Sequence, residues 1–464
     1  MIADLKPYAD YKDSGVSWLD KVPAHWQIVR SKRLFTARQE LARPDDVQLS
    51  ATQAYGVIAQ SLYEERTGYR VVKISMHLDK RRHVERDDFI ISMRSFQGGL
   101  ERAWSTGAIR SSYVVLKPDA QVDASYFRYL FKSVPYIAAL RATGDFIRDG
   151  QDLNYSNFCG VDLPSIPPTE QAAIGRFLDV VNGRLERTIR AKRKVIAHLT
   201  EQKQAVVRFA VTRGLDSFVT MKSTGIPWLG DIPCHWSIKR FKFLATINSG
   251  QIDPRKASYR EMVLIAPNHI ESGSGRLIAQ QTAAAQGADS GKYLVGRGQI
   301  VYSKIRPNLR KATIAPSDCL CSADMYPITP RASELLSEYF LLILLSQPFT
   351  KFAVDASMRV AMPKVNREAL ADCPLWYPGL SEQAEILKKV ACETRPINAA
   401  IERLNREIDL LREYRTRLVA DMVTGKLDVR EAVARLPAEA PPDIAEEPLD
   451  EIDEAELTDE ETEA

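Results

Sequence analysis

The sequence predicts a mixed α/β chain of two tandem globular domains separated by two long, antiparallel, coiled-coil-like helices, the halves related by a pseudo-twofold internal repeat. Three observations carry that prediction. A block rich in tryptophan recurs at an offset of 210 residues, a Glu-Gln landmark recurs at 212, and each landmark opens a long stretch with helical apolar spacing. The expected division is a first globular domain at 1–168, a first spacer helix at 169–215, a second globular domain at 216–380, a second spacer helix at 381–430 and an acidic disordered tail at 431–464.

The repeated block comes first along the chain. Lys12-Asp13-Ser14-Gly15-Val16-Ser17-Trp18-Leu19, continuing to Val22-Pro23-Ala24-His25-Trp26, returns as Lys222-Ser223-Thr224-Gly225-Ile226-Pro227-Trp228-Leu229 and Ile232-Pro233-Cys234-His235-Trp236. Between 11 and 34 the two copies share 11 of 24 positions. Thr169-Glu170-Gln171 matches Ser381-Glu382-Gln383, and Thr212-Arg213-Gly214-Leu215-Asp216 matches Thr424-Gly425-Lys426-Leu427-Asp428. Offsets that drift so little across a whole unit indicate duplication of that unit.

Inside the domains, strand-like runs at Tyr69–Ile74, Phe89–Met93, Ser112–Leu116, Arg260–Ile265 and Gln299–Ser303 are separated by Gly, Asp, Asn and Pro turns. Short helices are expected at Tyr126–Ser133 and Tyr339–Ser346. Thr169 and Ser381 can cap the long helices, and the acid that follows each sits at the favourable end of the helix dipole. The first seam runs through Leu178, Leu185, Ile189, Ile196, Leu199 and Val206, diluted by Asn182, Lys192 and Lys203. The second runs through Ile397, Ile401, Leu404, Ile408, Leu411 and Leu418, with Arg415 its one polar position. No proline interrupts 170–213, so that helix could span about 65 Å at 1.5 Å per residue. Pro396 marks a kink or a restart in the second. Apolar stripes this long must be buried. Antiparallel packing within one chain is the expected solution, and parallel pairing across two chains is its competitor.

Composition excludes several classes. With 464 residues, 45% hydrophobic and 27% charged, the chain has material for two to four cores and is neither collagenous nor wholly disordered. No apolar run reaches the length of a membrane span, and the N-terminus lacks the apolar centre of a secretory signal. Six dispersed cysteines without a C-x-x-C pair read as reduced thiols of a cytoplasmic protein, and Cys319 and Cys321 as buried small residues sharing one strand face. Phosphate-loop, zinc-protease, amino-methyltransferase and nuclease motifs are all missing, so no catalytic residue, metal or bound cofactor is expected. His25 and His235 recur with the repeat. They read first as packed histidines donating to backbone, with catalysis or metal binding as the alternative.

Charge points towards a polyanion. Net charge is +3, but residues 436–464 hold 13 acids and no base, which leaves 63 bases against 47 acids in the body. Lys304-Ile305-Arg306-Pro307-Asn308-Leu309-Arg310-Lys311 follows a strand, and its guanidinium groups and amide suit phosphates or base edges. The equivalent place in the first copy holds Arg94, Ser95 and Gln97, and further candidates precede the long helices at Arg148, Gln151, Arg359 and Lys364. An ordinary solvated loop is the competing reading for the turn. From Asn182 to Arg213 there are nine bases against Glu186 and Glu201, which suits either phosphates or an acidic partner helix.

The twin G-φ-x-W-L-x-x-φ-P-x-H-W blocks, the Ser303-Lys304-Ile305-Arg306-Pro307 segment and Ile166-Pro167-Pro168-Thr169-Glu170-Gln171 before a long helix resemble the specificity subunits of type I restriction-modification systems, over about residues 8–430. The resemblance implies two target-recognition domains, each reading half of an asymmetric bipartite site in double-stranded DNA. It also implies two helical spacers that hold two modification methyltransferase subunits, to which restriction endonuclease subunits add. S-adenosylmethionine, ATP and magnesium would belong to those partners, and this chain would catalyse nothing. Two departures stand out: Met93-Arg94-Ser95-Phe96 replaces the K-I-R-P turn in the first copy, and Tyr377-Pro378-Gly379-Leu380 replaces the proline pair in the second. A coiled-coil scaffold or adaptor that does not bind DNA is the alternative function.

Overall fold

The computed structural model describes residues 5–71, 80–92, 95–144, 153–216, 218–357 and 363–436. The chain divides into two compact units, one of residues 1–192 with 406–464 and one of residues 193–405. Each unit therefore contains one globular domain, the start of one long helix and the end of the other.

The first unit is built on a four-stranded antiparallel sheet in the order Phe35–Ala37, Val114–Pro118, Phe89–Ile91, Glu101–Arg102. The second repeats that order with Ala245–Ile247, Met325–Pro330, Ile300–Ser303 and Ala312–Ile314. In both, a further antiparallel pair joins the segment after the Trp block to the strand that leads into the long helix: Gln27–Arg30 with Asp162–Ser165, and Ser237–Arg240 with Pro374–Tyr377. Continuous apolar runs form the central strands Phe89–Ile91 and Ile300–Ser303, buried throughout because one face packs with the short helices Ala124–Leu130 and Ser337–Leu345 while Ile90 in the first unit and Val301 in the second join separate clusters. Phe35 anchors the first core, with its ring edge-on to Phe89, Phe127 and Phe158 at 5.1 to 5.8 Å.

The units differ beside that shared sheet. The second has another four-stranded sheet, Gln251–Ile252, Lys292–Val295, Cys319–Cys321 and Leu264–Ile265, whose last pairing is parallel. The run Arg260–Ile265 is thus only half a strand. Its start closes a helical turn, in which Lys256 O accepts from the amides of Tyr259 and Arg260. Of Tyr69–Ile74, residues 69–71 have no regular structure and the remainder lies outside the described residues. Cys319 and Cys321 are both buried, and burial pushes the Cys319 thiol up to about 12.

The long helices run Pro168–Arg213 and Leu380–Val423. The second continues through Pro396, whose face, with Cys392, is exposed, so water can take the carbonyl that the proline cannot serve. Within the first unit Glu186 pairs with Arg415, and Lys192 with Glu407 at 2.5 Å. Rising numbers on one helix meet falling numbers on the other, so the pairing is antiparallel within one chain. Leu178, Leu185, Ile189, Ile408 and Leu418 are buried there and Leu411 is half-buried. In the second unit Ile397 is buried, while Ile196, Leu199, Val206, Ile401 and Leu404 are half-buried.

The repeated motifs fasten these helices to the domains. In the first unit the Glu170 carboxylate accepts from Tyr8 Oη at 2.7 Å and Trp26 Nε1 at 3.0 Å, and bonds His25 Nε2 at 2.8 Å. In the second, Glu382 bonds His235 Nε2 at 2.8 Å and accepts from Trp236 Nε1 at 3.0 Å. The next residue repeats its role as well. Gln171 accepts from the Asp123 amide and donates to the Gln121 and Ile166 carbonyls, while Gln383 accepts from the Leu336 amide and donates to the Glu334 and Pro378 carbonyls. The two histidines therefore bond a carboxylate, correcting the expectation of a backbone partner.

The far ends of the helices close the same domains. Gly425, with φ at +79°, ends the second helix so close to Pro23 and Trp26 that a Cβ would fall 2.4 Å from the proline ring. Val423 O accepts from Tyr126 Oη at 2.7 Å, and Asp428 N donates to Lys6 O at 2.9 Å. In the second unit Gly214, at +77°, lies beside Trp236, and Val211 O accepts from Trp376 Nε1 at 2.5 Å. The chain expected to be disordered from 431 is ordered further: Arg430–Val433 is helical, and Ala432 and Leu436 are buried. Residues 437–464 lie outside the described residues.

Glu170 is 4% exposed and Glu382 has a quarter of its side chain exposed, so the two fastenings should differ in strength. Glu170→Ala strands buried donors and should cost its unit about 3 kcal/mol or more, against about 1 to 2 for Glu382→Ala in its own. Urea titration read by hydrogen exchange in each unit separates the two, and equal losses would show that burial does not govern the clasp.

Candidate nucleic-acid interface

In the second unit the strand Ile300–Ser303 runs into the basic turn. Ser303 Oγ donates to Ile305 O at 3.0 Å, and a 3-10 turn covers Pro307–Leu309. Arg306 and Arg310 flank it in the left-handed region, with φ of 47° and 48°. An antiparallel bridge joins Ile305 to Lys364, reinforced by Arg306 N to Pro363 O at 3.1 Å and Val365 N to Lys304 O at 2.8 Å. That bridge sets two sequence-distant candidates side by side.

The turn sorts its bases into two groups. Arg306, Asn308 and Lys364 are exposed. Lys304 is turned inward, with Nζ donating to Ala323 O at 2.6 Å and lying 5.6 Å from the Tyr326 ring centre. Arg310 is half-buried, its guanidinium packed on Gly273, and burial pushes its proton affinity down. It lines a cavity of about 640 Å³ with Ile196, Thr200, Glu271, Arg276 and Ile401. Lys311 is half-exposed, and its carbonyl accepts from Ser303 N. The fully exposed candidates are thus Arg306, Asn308 and Lys364, with Lys311 half-exposed beside them.

In the first unit Ser95 is fully buried and its hydroxyl accepts from Ser92 N at 2.9 Å, so it shapes the turn and does not reach solvent. Gln97 is exposed. Arg94, Arg148 and Gln151, like Arg359 in the second unit, lie outside the described residues. Arg141, absent from the sequence reading, donates to the carbonyls of Phe96 and Gln97 and holds that turn. Arg367 does similar work in the second unit, donating to Ile247 O and Asn248 O at 3.2 and 2.8 Å beside the Tyr326 ring. Neither carries a sequence signal, since each acts on a distant backbone.

Among the described residues no group of three or more His, Cys, Asp or Glu could hold a metal ion. The clasp carboxylates are engaged as joints, Glu170 by three side chains and Glu382 by two. Among the described residues, too, no helix is long and apolar enough to cross a membrane.

Residues 233–409 match the family described as the type I restriction modification DNA specificity domain. The specificity subunit of the type I restriction enzyme EcoDI from Escherichia coli is 32% identical over 332 residues, spanning 64% of this chain and 72% of that protein. Among solved structures, one reported as the structural basis of complex assembly and conformational transition of the type I R-M system superposes with a TM-score of 0.57 at 14% identity, covering 88% of this chain and 99% of that one. The HsdS subunit from Thermoanaerobacter tengcongensis aligns at a TM-score of 0.40 and 15% identity, over 89% of this chain and 98% of that one. The chain belongs to the type I restriction-modification specificity subunits, the non-catalytic DNA-recognition class of those systems. Its partners as such a subunit are DNA and the methyltransferase and restriction subunits.

Arg306 separates backbone strain from surface chemistry. A non-glycine residue in the left-handed region is strained by about 1 kcal/mol, which Arg306→Gly would relieve. That variant should melt at the same temperature as the parent or above it, yet bind duplex DNA more weakly. Unchanged DNA binding in a titration would remove Arg306 from the interface.

Proposed function

We propose that the chain reads an asymmetric bipartite DNA site, one half-site per unit, and acts as scaffold for two methyltransferase subunits and the restriction subunits that join them. One observation carries the reading. The units share sheet order and clasp but, among the described residues, expose different side chains at the turn, with Arg306, Asn308 and Lys364 in one and Gln97 in the other. A common frame bearing unlike surfaces is what two unlike half-sites require.

Arg94, Arg148, Gln151 and Arg359 complete the proposed contact set by their places in sequence. The long helices, each contributing to both units, set the number of unread base pairs between the half-sites. Scaffolding finds support on the second helix, where Leu410 and Tyr414 are exposed beside a groove lined also by Thr188, Leu411 and Arg417. S-adenosylmethionine, ATP and magnesium are assigned to the partner subunits, and the complex to the cytoplasm. A scaffold indifferent to DNA would leave the family match unexplained.

Profiling bound sequences from a random duplex pool, with the partner subunits present and at two salt concentrations, tests the reading. A two-part consensus that survives at the higher salt is expected, whereas uniform binding abolished by salt would contradict it. Inserting four residues into each long helix adds about 6 Å, one to two base pairs, and should lengthen the unread spacer while preserving both half-sites. An unchanged spacer would show that the helices do not set the distance.

A further inference from the structure

In the first unit the strands Arg82–Val84 and Gly107–Ile109 pair antiparallel, with Ile109 opposite Arg82. The next position outward on each strand is basic, Arg81 beyond Arg82 and Arg110 beyond Ile109. Like charges facing each other across a ladder repel unless an anion lies between them. Arg81 is 6% exposed, and its backbone is fixed by Ala42 N donating to Arg81 O at 2.9 Å. Among the described residues no carboxylate pairs with its guanidinium, and the charge beside it is Arg110.

The same domain shows what a buried guanidinium ordinarily requires. Arg38, equally buried, bonds both oxygens of Asp88 at 2.8 and 3.0 Å and also Glu40 and Glu85 at 2.8 Å. An arginine cannot escape burial by losing its proton, so an unpaired one calls for an anion from outside. Burial and the neighbouring Arg110 charge together push the proton affinity of Arg81 down. Arg110 also opens a turn with the exposed hydroxyl residues Ser111 and Ser112, closed by Tyr113 N donating to Arg110 O at 3.2 Å.

We propose that Arg81 and Arg110 form an oxyanion-binding pair that takes a backbone phosphodiester of duplex DNA at the half-site met by the first unit. The proposal rests on the DNA-recognition reading and deepens it. Two guanidinium forks match the tetrahedral, singly charged phosphodiester, and a phosphate contact fixes register without reading sequence.

Arg81→Met and Arg110→Met in the full chain provide the test. Replacing Arg81 removes a buried unpaired charge, so Arg81→Met should melt above the parent in phosphate-free buffer. Inorganic phosphate at constant ionic strength should raise the melting temperature of the parent and leave that of Arg81→Met unmoved. On a duplex enriched by the parent, each variant should bind about tenfold more weakly, with a salt dependence shallower by about one phosphate and unaltered sequence preference. A lower melting temperature together with an unchanged salt slope would make Arg81 structural and overturn the site. A phosphate response without any change on DNA would leave a free-oxyanion site and overturn the DNA assignment. Should the parent enrich no duplex, the specificity reading fails, and the phosphate response of parent against Arg81→Met still decides the pair. If Arg81→Met does not fold, Arg110→Met carries the same measurements.

Discussion

The structure depends on one repeated interaction, a carboxylate at the start of each long helix, buried in the first copy and a quarter exposed in the second, that takes the indole and imidazole hydrogen bonds of the preceding His-Trp pair. A carboxylate in that position would be costly without donors, and the indole N–H would be costly without an acceptor. Each makes the other tolerable. The adjacent glutamine adds three backbone bonds that lock the loop before the short helix and the strand before the long one. The helix therefore leaves its domain through a joint held by side-chain hydrogen bonds.

The opposite end of each helix closes the other domain, with Gly425 against Pro23 and Trp26 and Gly214 against Trp236. The second tryptophan of each block, Trp26 or Trp236, is thus held from both sides, by the carboxylate of one helix and the terminal glycine of the other. This arrangement lets the exposed turns diverge freely. Arg306 can occupy a strained backbone position, and Ser95 can be replaced at the equivalent place in the second copy, without disturbing the joint.

Much of this was legible in the sequence because duplication writes its signal twice. The Trp block, the Glu-Gln landmark and the Thr-x-x-Leu-Asp segment after each helix stood out as repeats, and the heptad spacing marked both helices, while their antiparallel pairing was a preference that parallel pairing across two chains competed with. What the repeats did for one another was not legible. Glu170 lies 144 positions from Trp26, and nothing local marks their hydrogen bond. Spacing alone also could not tell an exposed base from an inward one, so Lys304 and Arg310 looked equivalent to Arg306 until Ala323, Tyr326 and Gly273 were placed around them. The pairing of Ile305 with Lys364 and the opposition of Arg81 and Arg110 are likewise products of register, which composition does not encode.

If the two joints are equivalent, the domains they hold should be interchangeable. The most direct measurement replaces residues 216–379 with 6–167, keeping both long helices, and selects bound duplexes from a random pool with the partner subunits present. A folded chain that enriches one half-site sequence twice within a single site is the expected result. A folded chain that still enriches two different half-sites, or none, would contradict the account.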